Sequence, residues 1–340
     1  MKKISMSDIA REAGVGVATV DRVLNGRAPV RAETRQKVLK TAEQLGYRAA
    51  LLQAISSETT PNPVTARTGF ILLAKDHSFY ASFAEQLTHA ARQSLQVEPE
   101  FVWLDIDDTE GMVASLYALA ERVDILGVVT LDHPLIRHTI QKITATGVRV
   151  YALFSDLSPC GHSGYIGLDN QKAGRTAGWF AGRLLEKNAV IAILLGDHRF
   201  TCQESCEISF RSALRENRSG FIVLEPLKTH ESQQGGYAAT RQLLSQHENL
   251  AMIYAPCGGI EGVIQALKES GRNTIKLLCH GPIADGDLSL IEGRIEVMLR
   301  HRLDAIAHSV ISEFSRQMRQ PDNSPVHITL PFDIITPENI

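Results

Sequence analysis

The chain lacks the features that would place it in a membrane, in an oxidising compartment or in a familiar enzyme class. No stretch approaches the roughly 20 apolar residues that a spanning helix needs. Met1-Lys2-Lys3-Ile4-Ser5 is positively charged but has no apolar core behind it, so no secretory signal is expected. Cysteines are few and odd in number: Cys160, Cys202, Cys206, Cys257 and Cys279. Cys202 and Cys206 have a spacing used by metal sites, yet no second Cys/His pair completes a set of ligands. Reduced thiols in a cytoplasmic protein, with no metal and no cofactor, are the expectation. G-x-S-x-G, H-E-x-x-H and a recognisable triad order are all missing. Gly161–Gly167 does not meet the dinucleotide spacing, and Gly167–Lys172 is not a phosphate loop. An enzyme using Cys206 or His280 as nucleophile or base is therefore the weaker reading. The tail carries no leucine heptads, so a dimer rather than a tetramer is expected.

What is present begins with length and charge. At 340 residues with 44% apolar content, the chain suits a small domain plus a larger one. The net charge of −3 hides an asymmetry. Residues 1–50 hold ten Lys/Arg against five Asp/Glu, and the remainder holds 25 against 33. A positive head on a negative body is the pattern expected if only the head meets phosphate.

That head reads as three short helices. Ser7 is placed to cap the first, whose apolar stripe is Ile9, Ala10 and Ala13. Ala13-Gly14-Val15 makes a tight turn. A second helix starts near Val17 and turns Val20, Val23 and Leu24 inward, ending at Asn25-Gly26. A third, over about 32–45, buries Val38, Leu39, Ala42 and Leu45 and stops at Gly46. Three helices around so small a core do little alone, but they can present the second to a major groove.

The residue types and spacings here closely resemble the DNA-binding headpiece of the lactose-repressor (LacI/GalR) family. The matching positions are Asp8-Ile9-Ala10, Ala13-Gly14-Val15, Thr19-Val20, Arg22-Val23-Leu24-Asn25, Thr34-Arg35, Val38 and Leu45-Gly46-Tyr47. The resemblance implies that Val17, Ala18 and Arg22 read bases. Arg22 suits a bidentate bond to guanine, worth about 1–3 kcal/mol of discrimination. Val17 and Ala18 offer apolar contact to thymine methyls. Ser5, Ser7, Thr19, Asn25 and Thr34 suit phosphate contacts, which position rather than specify. Asp21 departs from the usual Ser and sets an anionic group near phosphate, unless it pairs with Arg22 or accepts from a cytosine amine. Ala49-Ala50 replace the family's Pro-Asn, and Ser56 stands where a minor-groove Leu is usual. Leu51, Leu52 or Ile55 would then serve as the wedge, or pack against a partner helix.

After Tyr47 comes a short apolar helical stretch, and then the polar, proline-bearing segment Ser56–Arg67. From Gly69 onward, apolar strands alternate with helices. Strands are expected at 69–74, 101–106, 125–131 and 148–154. A second set is expected at 165–168, 190–195, 221–224, 251–255, 275–279 and 295–299, with closing elements at 303–319 (helix) and 326–330 (strand). Continuous apolar runs indicate strands covered on both faces. Two sets of βα units fit two doubly wound lobes, whose ligands bind at the carboxyl ends of strands. The body resembles the effector domain of the same family, in its ribose-binding-like branch, at Tyr165–Asn170, Ala173-Gly174, Gly262, Ala266-Leu267 and Pro337–Asn339. The expected fold is thus an all-α helix-turn-helix headpiece joined to an α/β two-lobed periplasmic-binding-protein-like domain of doubly wound parallel sheets. Its domains are 1–47, a hinge and linker at 48–68, and 69–340.

Strand ends supply the ligand candidates. Asp76, His77, Phe79 and Tyr80 bring polar groups beside aromatic faces, as a sugar pocket needs. Asp132, Ser155, Asp156, Asp169 and His280 end other strands. By the resemblance, His301 lies on the last lobe crossing, Cys206 replaces a sugar-binding Arg, and Pro256-Cys257 replace Asn-Asp. Residues and resemblance together imply a homodimeric repressor that reads a palindromic operator and releases or grips it as a carbohydrate-like metabolite binds. A solute-binding protein of similar body is the alternative.

Overall fold

The computed structural model describes residues 5–25, 30, 32–45, 67–74, 77–216 and 220–340. Of the hinge and linker expected at 48–68, residues 48–66, with Leu51, Leu52 and Ile55, lie outside those residues, as does the candidate Asp76. Chain contacts divide the molecule into Met1–Pro63 and Val64–Ile340.

In the first unit, α1 (Met6–Ala13), α2 (Val17–Asn25) and α3 (Ala32–Gln44) enclose Ile9, Ala10, Ala13, Val20, Val23, Val38 and Ala42. The cap of α1 is Ser5, not Ser7. Asp8 accepts from the Ser5 backbone N–H at 3.0 Å and from its hydroxyl at 2.7 Å, while Ser5 Oγ accepts from Asp8 N. Ser7 falls inside the helix because the reciprocal box needs the acidic partner three residues after the cap. Gly14 closes α1 with a left-handed φ of 61°, its N–H turned back to the carbonyls of Ala10 and Arg11.

The second unit has two sheets. The first is built from β1 (Thr68–Leu73), β2 (Glu100–Leu104), β3 (Ile125–Val128), β4 (Arg149–Leu153), β5 (Gly164–Leu168) and β12 (Val326–Leu330). All are parallel, in the order β12-β5-β4-β3-β1-β2. The second contains β6 (Val190–Leu195), β7 (Ile222–Val223), β8 (Leu227–Lys228), β9 (Leu250–Ala255), β10 (Lys276–Gly281), β11 (Val297–His301) and β13 (Phe332–Ile335). Its path is β13-β11-β10-β9-β6-β7, with β8 also on β6 and with β13 antiparallel to β11.

Both faces of each sheet are covered, as the unbroken apolar strands require. In β1, Phe70 and Leu72 pack on one face and Ile71 on the other. In β6, Val190, Ala192 and Leu194 alternate in the same way with Ile191, Ile193 and Leu195. The covering helices are α4 (Ser78–Ser94), α5 (Thr109–Ala120), α6 (Pro134–Ala145), α7 (Asn170–Leu184), α8 (Thr201–Glu216), α9 (Gln233–Gln246), α10 (Ile260–Ser270), α11 (Gly286–Ile291) and α12 (Leu303–Arg319).

Chain order alone misassigns three elements. Tyr165–Leu168 belongs to the first sheet, not to the second set of strands, because β5 pairs with β4. The chain returns through α12, whose Ile306, Val310, Ile311 and Phe314 join the first core, and through β12. Phe332–Ile335 then crosses back to the second sheet as a strand that the apolar pattern does not separate. The lobes are thus joined near Asp169, Arg302 and Pro331, and strand ends of both face a common cleft.

Candidate functional site

In the headpiece, α2 begins at Val17. Ala18 and Arg22, four residues apart and therefore on one helical face, are exposed together with Val17. Thr19, Asp21 and Thr34 are half-buried, and Ser5 and Ser7 are exposed. Asn25 ends α2, and its side chain lies outside the described residues. The local cause is plain: Val20 and Val23 are spent on the core, so the opposite face of α2 is left to solvent.

In the body, a cleft of about 630 Å³, partly open to solvent, lies at the carboxyl ends of the strands. The first lobe contributes His77, Phe79 and Tyr80 from the start of α4, and Phe154 from the end of β4. Asn170 and His301 come from the lobe crossings, and His280 from β10. Gln203 and Cys206 come from α8, and Glu231 from the turn after β8. A second recess shares His77, Glu231, Gly259 and Glu261 with the first and extends it past Asp105 and Asp107. The two recesses adjoin at these four residues.

Aromatic rings line one wall. Phe79 meets His301 edge-on at 5.3 Å between centroids and Phe154 at 5.1 Å. His280 lies 5.9 Å from His301 and has Nε2 3.1 Å from the Tyr254 hydroxyl. Burial pushes His280 down to about 3, helped by the neighbouring His301, and pushes His301 itself down to about 4. Both imidazoles are neutral near pH 7, since desolvation disfavours the charged form. His301 Nδ1 and both ring nitrogens of His77 are buried without a hydrogen-bond partner. A buried polar atom needs a hydrogen-bond partner, so these nitrogens are positions where a ligand atom or a water can bond.

The opposite wall holds a fixed carboxylate. Gly196 N donates to Gln203 Oε1 at 2.6 Å, which orients the amide so that Gln203 Nε2 donates to Glu231 Oε1 at 2.8 Å. Gly258 N donates to Glu231 Oε2 at 3.1 Å. A carboxylate has about four lone-pair sites, so these two donors leave acceptor capacity unused. Residues 230 and 231 hold positive φ, 52° and 53°, which turns the chain sharply after β8.

The structure thus gathers His77, Phe79, Tyr80, Cys206, Cys257, His280 and His301 in the cleft. Four other candidates do not line it. Asp169 caps α7 by accepting from Lys172 N at 3.0 Å. Asp132 accepts from Ser158 Oγ at 2.6 Å and pairs with Arg137 at 2.9 Å. Ser155 is buried, with Oγ 3.2 Å from Thr201 Oγ1 and accepting from Cys202 N. Asp156 holds His162 at 3.2 Å and, with the Cys160 thiol, pushes that imidazole up to about 9. Polar residues at strand ends also serve as caps, as Asp169 does, and as partners of loop side chains and backbone, as Asp132, Ser155 and Asp156 do. Cys206 contributes little polarity: it is 1% exposed, its thiol donates to Asn170 O at 3.4 Å, and burial pushes its pKa up. Cys257 donates to Leu194 O at 3.3 Å, and burial raises its thiol too. Neither is an activated nucleophile.

Glu231, Gln203 and Glu261 also line the cleft, although no sequence pattern singles them out, as do Asn170, which ends a segment of the resemblance, and Phe154, which ends an expected strand. Glu231 follows a strand of two residues, too short to give an apolar run, so its strand-end position carries no signal.

Two family models match the chain. The model described as bacterial regulatory proteins, lacI family, matches residues 5–49, and that described as a periplasmic binding protein domain matches residues 68–296. The chain belongs to the periplasmic binding protein domain family through residues 68–296, and it carries a lacI-family domain at residues 5–49. Its body is a periplasmic-binding-protein domain. Catabolite control protein A of Priestia megaterium is 39% identical over 89 residues, which cover 26% of this chain and 25% of that protein. The Staphylococcus aureus (strain MRSA252) protein of that name is 26% identical over 218 residues, covering 63% and 62%. The one from Staphylococcus epidermidis is 23% identical over 270 residues, covering 79% and 78%. The chain therefore spans only a quarter to about three fifths of the first two relatives' lengths. Among solved structures, the body shares its fold with a glucose-galactose binding protein from Geobacillus stearothermophilus. That match has a TM-score of 0.71 at 18% identity, covering 81% of this chain and 99% of that one. A solute-binding protein from Burkholderia graminis in complex with D-arabinose has a TM-score of 0.74 at 19% identity, covering 82% and 98%. No helix among the described residues is long and apolar enough to cross a membrane.

Proposed function

We propose that the chain is a sequence-specific transcriptional regulator, a repressor, whose hold on operator DNA is set by a small polar metabolite in the body cleft. The observation that carries this reading is the presence, in one chain, of a lacI-type headpiece with an exposed α2 face and a two-lobed body with a cleft. Arg22 reads guanine, and Val17 and Ala18 contact thymine methyls. Ser7, Thr19 and Thr34 position the head on phosphates, while Ser5 is occupied by its cap. One head reads too few base pairs for useful selectivity, so a homodimer on a palindrome is part of the proposal. The names of the relatives, which speak of catabolite control, and the sugar-bound neighbours support a carbohydrate-like effector acting in the cytoplasm. Ligand shifts the lobe arrangement, and operator affinity changes by no more than the ligand's preference between the two arrangements.

The structural neighbours favour a second reading, a solute-binding protein, but the lacI-type head has no part in transport. Selection of bound sequences from random double-stranded DNA separates the two. Enrichment of a palindrome supports the regulator, and no enriched sequence sinks it.

A further inference from the structure

The charge of the cleft is lopsided. Among the described residues lining its two recesses are four carboxyl groups, Asp105, Asp107, Glu231 and Glu261, and no Lys or Arg. Asp107 has a partner in His230 at 3.1 Å, and Glu261 accepts from Ala284 N at 3.4 Å. Arg199 forks onto Asp197 with 2.9 Å from Nε to Oδ1, so it is committed elsewhere. Glu231 is different. Its side chain is 8% exposed, its two donors are a neutral amide and a backbone N–H, and the facing ring nitrogen of His77 is 4.0 Å away. A carboxyl group held so deep has no Lys or Arg against it among the described lining residues, and a cation in the cleft would pair with it. Phe79, Tyr80 and Phe154 stand on the other wall, and aromatic faces attract cations as well. The unpartnered nitrogens of His77 and His301 add hydrogen-bonding positions suited to hydroxyl groups.

We infer that the effector is a polyhydroxylated compound carrying a protonated amine, of the amino-sugar or amino-polyol class, with the ammonium on Glu231. Sugar acids and sugar phosphates fit this field poorly, because among the described lining residues their anion would meet carboxylates and no Lys or Arg. The inference rests on the proposed reading of the cleft as the effector site.

The test uses the full chain and matched probes: hexosamines, the corresponding hexoses and the corresponding hexuronates, in several ring stereochemistries. Binding is followed by calorimetry. The expected result is a hexosamine that binds about tenfold or more tighter than its hexose, with no detectable uronate binding. In Glu231→Gln, that preference should fall towards one, while Glu261→Gln lowers it less. Tighter or equal binding of a hexose, binding of a uronate, or no hexosamine binding at all would overturn the inference. DNA selection on the same preparation keeps the regulatory reading separate: an enriched palindrome beside a neutral or anionic ligand rejects only the ammonium.

Discussion

Acidification from pH 7 to pH 5 should destabilise the body through two residues of the cleft. His280 and His301 have folded values of about 3 and about 4 against 6.5 when unfolded. Between these limits the unfolded chain binds more protons than the folded one, so stability rises with pH and is lost as pH falls through 6.5. At pH 5 the deficit is about 2 kcal/mol for each imidazole and about 4 kcal/mol for the pair, at ~1.4 kcal/mol per pH unit. His162 works in another window. Its folded value near 9 stabilises fully below 6.5 and is lost as pH rises through 9, so it adds no slope between 6.5 and 5. Carboxylates held low by cations, such as Asp197 between Arg199 and Lys228, lose their contribution only below the usual carboxylate range. Denaturant unfolding followed by tryptophan fluorescence reports the body alone, because both tryptophans, Trp103 and Trp179, lie there. The midpoint should fall steadily from pH 6.5 to 5 with uptake of close to two protons on unfolding. His280→Gln and His301→Gln should each remove about half of the slope. A flat profile, or an unchanged slope in both variants, would refute the assignment of buried neutral imidazoles.

Other consequences are local. Arg22→Ala should weaken binding to the selected operator by about 1–3 kcal/mol while leaving non-specific binding little changed, as competition with unrelated duplex DNA will measure. Ser5→Ala breaks the capping box and should cost the headpiece about 1 kcal/mol, visible in the melting of its helical signal. Gly174→Val should loosen or misfold the second lobe, since a Cβ there would lie 2.2 Å from Cys206 O in the neighbouring helix; circular dichroism and protease resistance check it. Glu313→Ala leaves the Tyr151 hydroxyl and the Gln317 amide without their buried acceptor and should cost about 1–3 kcal/mol by denaturant titration.

Some of this architecture can be read from residue patterns. The helix at 303–319 and the strand at 326–330 fall where apolar spacing places them, because each presents one uninterrupted face to a core. The lobe to which each element belongs is not local information. β5 follows β4 in the sheet as in the chain, but β12 joins it from 158 residues further on. Phe332–Ile335 is an edge strand after Pro331, short and half-exposed, so it lacks a strong apolar signature. For the site, the strand-end rule found the aromatic and histidine wall. It failed at Asp132, Ser155, Asp156 and Asp169, where caps and turns use the same residue types, and at Glu231, whose strand is too short to read. The resemblance marks Cys206 as a departure from an expected arginine. Its consequence, a cleft whose described lining has carboxylates without a cation, emerged only from side chains brought together across the lobes.

If head and body act together, occupancy of the cleft changes the grip on DNA. The most direct test is operator affinity, measured on the selected palindrome by fluorescence anisotropy, with and without a ligand shown by calorimetry to need Glu231. A shift of about fivefold or more that disappears in Glu231→Gln is expected, within the usual 1–3 kcal/mol of coupling. An affinity unchanged at saturating ligand would contradict it.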